Sequence, residues 1–163
     1  MSSVNREIVV EAPPDRAFRV FTENFDSWWP RAHHIGKADM KAAIMEGRPN
    51  GRWYELGVDG SECDWGYVIA WEPPHRVVLA WQLDAQWQYN PALTTEVEVT
   101  FTPLGPSTTR VELEHRYLER FGEMEESVRK GIDSDEGWQG LLRLFAQAAQ
   151  DGVGAGFSRH TAG

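Results

Sequence analysis

The sequence predicts an α+β domain in which a curved antiparallel sheet of about six or seven strands wraps one long C-terminal helix. Three observations carry this. The stretch Asp133–Asp151 (DSDEGWQGLLRLFAQAAQD) repeats Trp138, Leu141, Leu142, Phe145 and Ala149 at helical spacing, so it is a helix with one apolar face. Thr94–Thr102 and Thr109–Leu118 alternate apolar and polar residues, the pattern of an antiparallel sheet with one side in water. Turn pairs such as Asn50-Gly51 and Asp59-Gly60 separate the strand-like runs at hairpin distances. A helix so apolar on one side needs cover, and most of the chain before it reads as strand.

In chain order, Val4–Glu11 reads as the first strand, closed by Ala12-Pro13-Pro14-Asp15. Asp15–Phe21 reads as a short helix with Ala17, Phe18 and Phe21 on one face, and Asn24–Pro30 as a second short helix or turn whose Phe25, Trp28 and Trp29 need burial. Arg31–Asp39 is polar and predicts a loop. Strands follow over Lys41–Glu46, Arg52–Val58, Asp64–Glu72 and Arg76–Leu83, with a longer loop over Asp84–Ala92 that holds Trp87 and Tyr89. In Thr94–Thr102, Val97, Val99 and Phe101 share a face. In Thr109–Leu118, Val111, Leu113, His115 and Tyr117 share the inner parity, while Glu112, Glu114 and Arg116 point to water. Glu119–Ile132 reads as irregular or partly helical. At the long helix, Asp133 and Glu136 have capping-box spacing with Ser134 as a competing cap, Gly140 weakens the interior, and Gly152 marks the stop. Residues 1–152 are thus expected as a single domain and 153–163 as a flexible tail.

The chain has 163 residues, enough for one core that needs no staples. Its 25 acidic against 16 basic residues disfavour nucleic acid or an anionic membrane surface as partner. A single cysteine, Cys63, excludes an intrachain disulfide and makes a reducing, cytoplasmic location the expectation. The polar, proline-broken N-terminus is no signal peptide, and no apolar run reaches membrane-spanning length, so no membrane insertion is expected. Eight tryptophans are unusual for this length: they fill a core or line a cavity for a flat or greasy ligand.

Several groups could carry chemistry. His115 and Tyr117 are polar residues on an apolar strand face, and protein groups or a ligand must satisfy them. Trp53, Tyr67, Trp71 and Trp81 lie on adjacent predicted strands and could wall a ligand or simply pack. His33 and His34 with Asp39 lack metal-ligand spacing, so no metal and no cofactor are expected; their loop is placed at a cavity mouth, within reach of a ligand. Glu55 and Asp64, with Arg52 or Arg76, could form an acid–base dyad or be exposed strand charges. Cys63, between Glu62 and Asp64, is no candidate nucleophile, because neighbouring negative charge opposes a thiolate.

The runs Gly51-Arg52-Trp53-Tyr54-Glu55, Trp65-Gly66-Tyr67-Val68, Trp71-Glu72-Pro73-Pro74 and Arg76–Trp81 occur in this order between Ala12–Phe18 and Gly137-Trp138 with Leu141 and Leu142. In this the chain resembles the helix-grip superfamily of START lipid-binding domains, polyketide cyclases and birch-pollen-type allergens (SRPBCC), and within it the branch named for the activator of heat-shock protein 90 ATPase. The resemblance implies a cavity between sheet and long helix that binds a small hydrophobic or aromatic molecule. The excess of indoles and the inward polar groups make Trp53, Tyr67, Trp81, His115, Tyr117, Trp138, Leu142, Phe145 and His34 the residues expected to line it. The resemblance leaves open a cyclase, aromatase or hydrolase using His115, Tyr117 or a buried acid, and a chaperone-associated interaction protein. Sheet edges also leave a homodimer open.

Overall fold

A computed structural model describes the backbone of residues 2–162 and the side chains of residues 2–151. Seven strands, β1 Ser3–Val10, β2 Met40–Met45, β3 Arg52–Gly57, β4 Glu62–Glu72, β5 Arg76–Trp81, β6 Thr95–Gly105 and β7 Thr108–Arg116, form one sheet. Their order is β1-β7-β6-β5-β4-β3-β2, and every neighbouring pair is antiparallel. The sheet curls into a half-barrel around α3, Trp138–Ala162. Helix α1, Pro14–Phe21, and a short 3-10 turn, Phe25–Ser27, connect β1 to β2, and a 3-10 segment, Leu118–Met124, leads into α2, Glu125–Ile132.

Alternation decides the layering. Val97, Val99 and Phe101 on β6 and Val111, Leu113 and His115 on β7 are all buried against the helices. Their neighbours Glu96, Glu98 and Glu114 face outward and meet Arg116, while Arg76 from β5 also pairs with Glu98. Helix α1 buries Phe18 and Phe21: Phe18 packs edge-on against Trp71 and Phe101, and Phe21 bridges Phe101 to Phe145 of α3.

The long helix departs from expectation at both ends. Its capping box does not form, because α2 runs to Ile132 and Asp133 follows as its C-cap. The Asp133 carboxylate accepts from Arg6 Nε at 2.7 Å, and Ser134 donates back to the Gly131 carbonyl at 2.7 Å. A tight turn over 134–137 therefore precedes α3, and Gly140 accommodates it: a Cβ there would lie 1.8 Å from the Asp135 carbonyl oxygen. The helix then continues past Gly152 to Ala162, since a glycine permits a left-handed stop without imposing one. The expectation of a flexible tail over 153–163 concerns side chains outside the described residues.

Tyr117 also departs. Strand β7 ends at Arg116, and Tyr117 takes a left-handed backbone (φ 68°) that turns the chain into the 3-10 segment. Its ring lies under the Arg120 guanidinium, 4.2 Å from the ring centre, instead of extending the inner row.

Candidate functional site

At the open end of the half-barrel, five indoles surround a cavity of about 510 Å³: Trp29, Trp65, Trp81, Trp87 and Trp138. The loop 32–35 closes one side, the α2–α3 turn with Ser134, Glu136 and Gly137 the other, and Leu83 and Leu141 complete the apolar lining. This volume suits a small organic ligand.

Local chemistry fixes each indole. Trp29 follows the 3-10 turn, stacks on Phe25 at 4.8 Å and donates its Nε1–H to the His33 carbonyl at 2.9 Å. Trp65 faces inward from β4 and donates to Glu55 at 2.9 Å. Trp81 ends β5 and touches Trp87, Trp138 and His115 edge-on or tilted, with ring centres 4.9–6.1 Å apart. Trp87 sits on the 82–94 loop in a left-handed backbone (φ 60°) and is half exposed at the mouth.

Trp138 opens α3 and donates its Nε1–H to His115 Nδ1 at 3.1 Å. An indole nitrogen only donates, so Nδ1 is the acceptor and the ring proton sits on Nε2. Nε2 therefore donates to Thr95 Oγ1 at 2.8 Å. His115 is fully buried with both nitrogens used, and burial pushes its pKa down to about 3. It is a neutral structural bridge behind Trp81 and Trp138, without the open nitrogen a general acid or base needs.

Glu55 is another buried polar group. Its carboxylate accepts from the backbone N–H groups of Ile35 (2.6 Å) and Gly36 (3.0 Å) and from Trp65. It thereby ties the 32–36 loop to the sheet. It forms no dyad with Asp64, which faces outward and pairs with Arg52 at 2.8 Å. Arg76 is engaged by Glu98 and Glu72. Cys63 is partly buried, and that burial, followed by Glu55, Asp64 and Asp59, pushes its thiol up.

The adjacent histidines face different partners. His33 Nε2 donates to the Glu136 carbonyl at 3.0 Å, a strap across the cavity to the α2–α3 turn. His34 Nδ1 donates to the Gly36 carbonyl at 3.0 Å and lies 3.8 Å from Glu55 Oε2. Among the described residues no three His, Cys, Asp or Glu side chains group as a metal site.

Of the residues singled out from sequence, Trp81, Trp138 and His34 line the cavity. Trp53 and His115 stand one layer behind, and Leu142 and Phe145 are in the core under α3. Tyr67 does not line it: its side chain is on the outer face, while Trp65 faces in. The cause is an irregularity between β3 and β4 at Trp53/Tyr54, opposite Gly66. Sequence reasoning missed Trp65, Trp29 and Trp87 as lining residues. The inward parity of Val68 was no guide to Trp65 across the irregular register, and Trp87 lies in a loop where alternation has no meaning.

The profile of the family described as activator of Hsp90 ATPase homolog 1-like protein matches residues 11–150. Among solved structures, an anthrahydroquino-gamma-pyrone synthase, Txn09, solved in complex with a molecule denoted SUM, shares 36% identity at a TM-score of 0.64, covering 90% of this chain and 96% of that one. The self-sacrificing resistance protein CalC from Micromonospora echinospora shares 30% identity at a TM-score of 0.68, covering 90% and 93%. An Aha1 dimer from Colwellia psychrerythraea, at 14% identity and a TM-score of 0.57 over 97% and 100%, shows the fold alone. No curated protein matches the chain at a significant level. Among the described residues no helix is long and apolar enough to cross a membrane.

Proposed function

The chain belongs to the activator of Hsp90 ATPase homolog 1-like family within the helix-grip superfamily, and from that premise we propose that it binds a flat aromatic small molecule in the cavity beneath α3. The observation that carries this is the wall of five indoles around about 510 Å³. A planar ring system entering there finds aromatic faces and edges on several sides, the arrangement in which such pairs gain energy beyond plain burial. The relative that makes an anthrahydroquino-gamma-pyrone supports a polycyclic aromatic of that general shape.

The test is a titration with 2-(hydroxymethyl)anthraquinone, followed by tryptophan emission and by thermal unfolding. Saturable quenching is expected, together with a melting temperature that rises with ligand concentration, since a ligand at about 100 times its Kd adds about 2.7 kcal/mol to stability. Unsaturable quenching with an unmoved melting temperature would refute the reading.

A ring-closing enzyme of the cyclase or synthase kind is the second reading, supported by the 36% identity to a synthase. His115 cannot be its acid or base as placed, being sealed and doubly bonded. Turnover by such an enzyme would have to survive His115→Gln. A second copy of the chain is a further candidate partner, along the edge strands β1 and β2.

A further inference from the structure

Among the polar groups around the cavity, one arrangement has the parts of a proton acceptor. His34 lines the cavity, and its Nδ1 faces the Gly36 carbonyl at 3.0 Å. A carbonyl oxygen only accepts, so Nδ1 carries the proton and Nε2 of the neutral ring presents a lone pair. Nε2 makes no hydrogen bond among the described residues and is not among the buried atoms left unpartnered there. His33 is the instructive contrast: its Nε2 is spent on the Glu136 carbonyl, and its Nδ1 is sealed and without a partner. Of the two histidines in the lining, only His34 has a ring nitrogen that is neither hydrogen-bonded nor sealed among the described residues.

Behind His34 stands a buried, hydrogen-bonded carboxylate. Glu55 Oε2 is 3.8 Å from His34 Nδ1, and the Glu55 side chain is 2% exposed. Three donors, Ile35 N, Gly36 N and Trp65 Nε1, hold it. Gly36 makes this approach easy, since a Cβ there would lie 2.9 Å from Glu55 Oε2 and 3.1 Å from Cys63 Sγ. The charged or titratable groups around His34 are thus Glu55 on β3, Cys63 on β4, His33 beside it and Glu136 across the cavity. A positive charge on the His34 ring would face a fixed negative one in a poorly hydrated place, where such pairs interact strongly.

We infer that His34 takes a proton from the bound ligand, with Glu55 as the positioning residue, so that the cavity selects flat aromatics bearing an ionisable ring hydroxyl. The ligand O–H bond breaks, the proton joins His34 Nε2, and the ligand stays as a phenolate beside the imidazolium. No other reactant is needed. This rests on the aromatic-ligand reading above and adds to it a chemical class: phenols and hydroxyquinones over their unsubstituted counterparts.

Alizarin is the probe, because its visible band shifts when a ring hydroxyl ionises, and 2-(hydroxymethyl)anthraquinone is the control without an ionisable ring hydroxyl. Absorption is read at a pH one unit below the first ionisation of free alizarin. The full chain is expected to bind both, with the anion band present for bound alizarin. His34→Gln is expected to lose the anion band and to weaken alizarin roughly tenfold more than it weakens the control, the loss of one charge-assisted contact. Glu55→Gln, if folded, is expected to move the appearance of the anion band of bound alizarin to higher pH. Binding of both dyes with no anion band, or an anion band that survives in His34→Gln, would overturn the inference and leave the aromatic site standing. Failure of both dyes to bind would overturn the site and this inference together.

Discussion

Trp138 is held by a relay that runs from its indole N–H through both nitrogens of His115 to Thr95, whose hydroxyl leans toward the Trp81 carbonyl at 3.5 Å. The relay works only while His115 is neutral, and this gives a pH prediction with a fixed sign. The folded ring titrates at about 3 against an ordinary 6.5. Between those values the unfolded chain binds a proton that the folded chain refuses, so stability falls as pH drops below about 6.5, by up to roughly 1.4 kcal/mol per pH unit. Urea unfolding of His115→Gln, whose amide can accept from Trp138 and donate to Thr95, should therefore show an acid limb shallower by about one proton between pH 6 and pH 4.5. An unchanged slope would mean that other groups set the acid limb. The inward placement of His115 was legible from Val111 and Leu113, four and two residues earlier. Its partners were not, because Trp138 is 23 residues away and no local pattern links them. Tyr117 had the same parity and failed, since nothing in a tyrosine announces a left-handed backbone.

At the scale of elements, the β3–β4 pair explains which aromatics reach the cavity. Register slips between Trp53 and Tyr54, and opposite it Gly66 lets the Ala80 carbonyl of β5 approach: a Cβ at Gly66 would lie 1.7 Å from that oxygen. The oxygen is a backbone atom and the Cβ is fixed by the backbone of the paired strand, so neither can swing away. Gly66→Ala should destabilise the chain by at least about 2 kcal/mol, where replacing a strand glycine by alanine ordinarily gains about 0.5–1 kcal/mol, and should disturb Trp65 and Trp81 on either side. Near-UV circular dichroism with urea unfolding reads both effects, and a variant within about 0.5 kcal/mol of wild type would disprove the close approach. The strand itself was readable from DWGYVIAWE. The slip was not, and it is why Trp65 rather than Tyr67 faces the cavity. The start of α3 was misplaced for a related reason: Asp133 and Glu136 have the spacing of a cap, but Asp133 is taken by Arg6, which is 127 residues away along the chain.

For the whole molecule, core and cavity are one aromatic cluster with an inner and an outer layer. Trp53 belongs to the inner layer: it is fully buried and packs edge-on against Phe25, Trp65 and Trp81 at 5.7–5.8 Å. Trp87 belongs to the outer layer, 49% exposed and touching Trp81 from the mouth. If the cavity is a binding site, the two layers should separate stability from affinity. Trp53→Ala removes a large buried ring and should cost about 3–5 kcal/mol of stability. Trp87→Ala removes a surface ring and should change stability by no more than about 0.5 kcal/mol. Its effect should fall on the ligand instead, weakening 2-(hydroxymethyl)anthraquinone by roughly threefold to tenfold, since one aromatic pair is worth about 0.5–1.5 kcal/mol. Thermal melts with and without the dye separate the two effects. A Trp87→Ala chain that melts as low as Trp53→Ala would place Trp87 in the core, and one that binds the dye as tightly as wild type would remove it from the site.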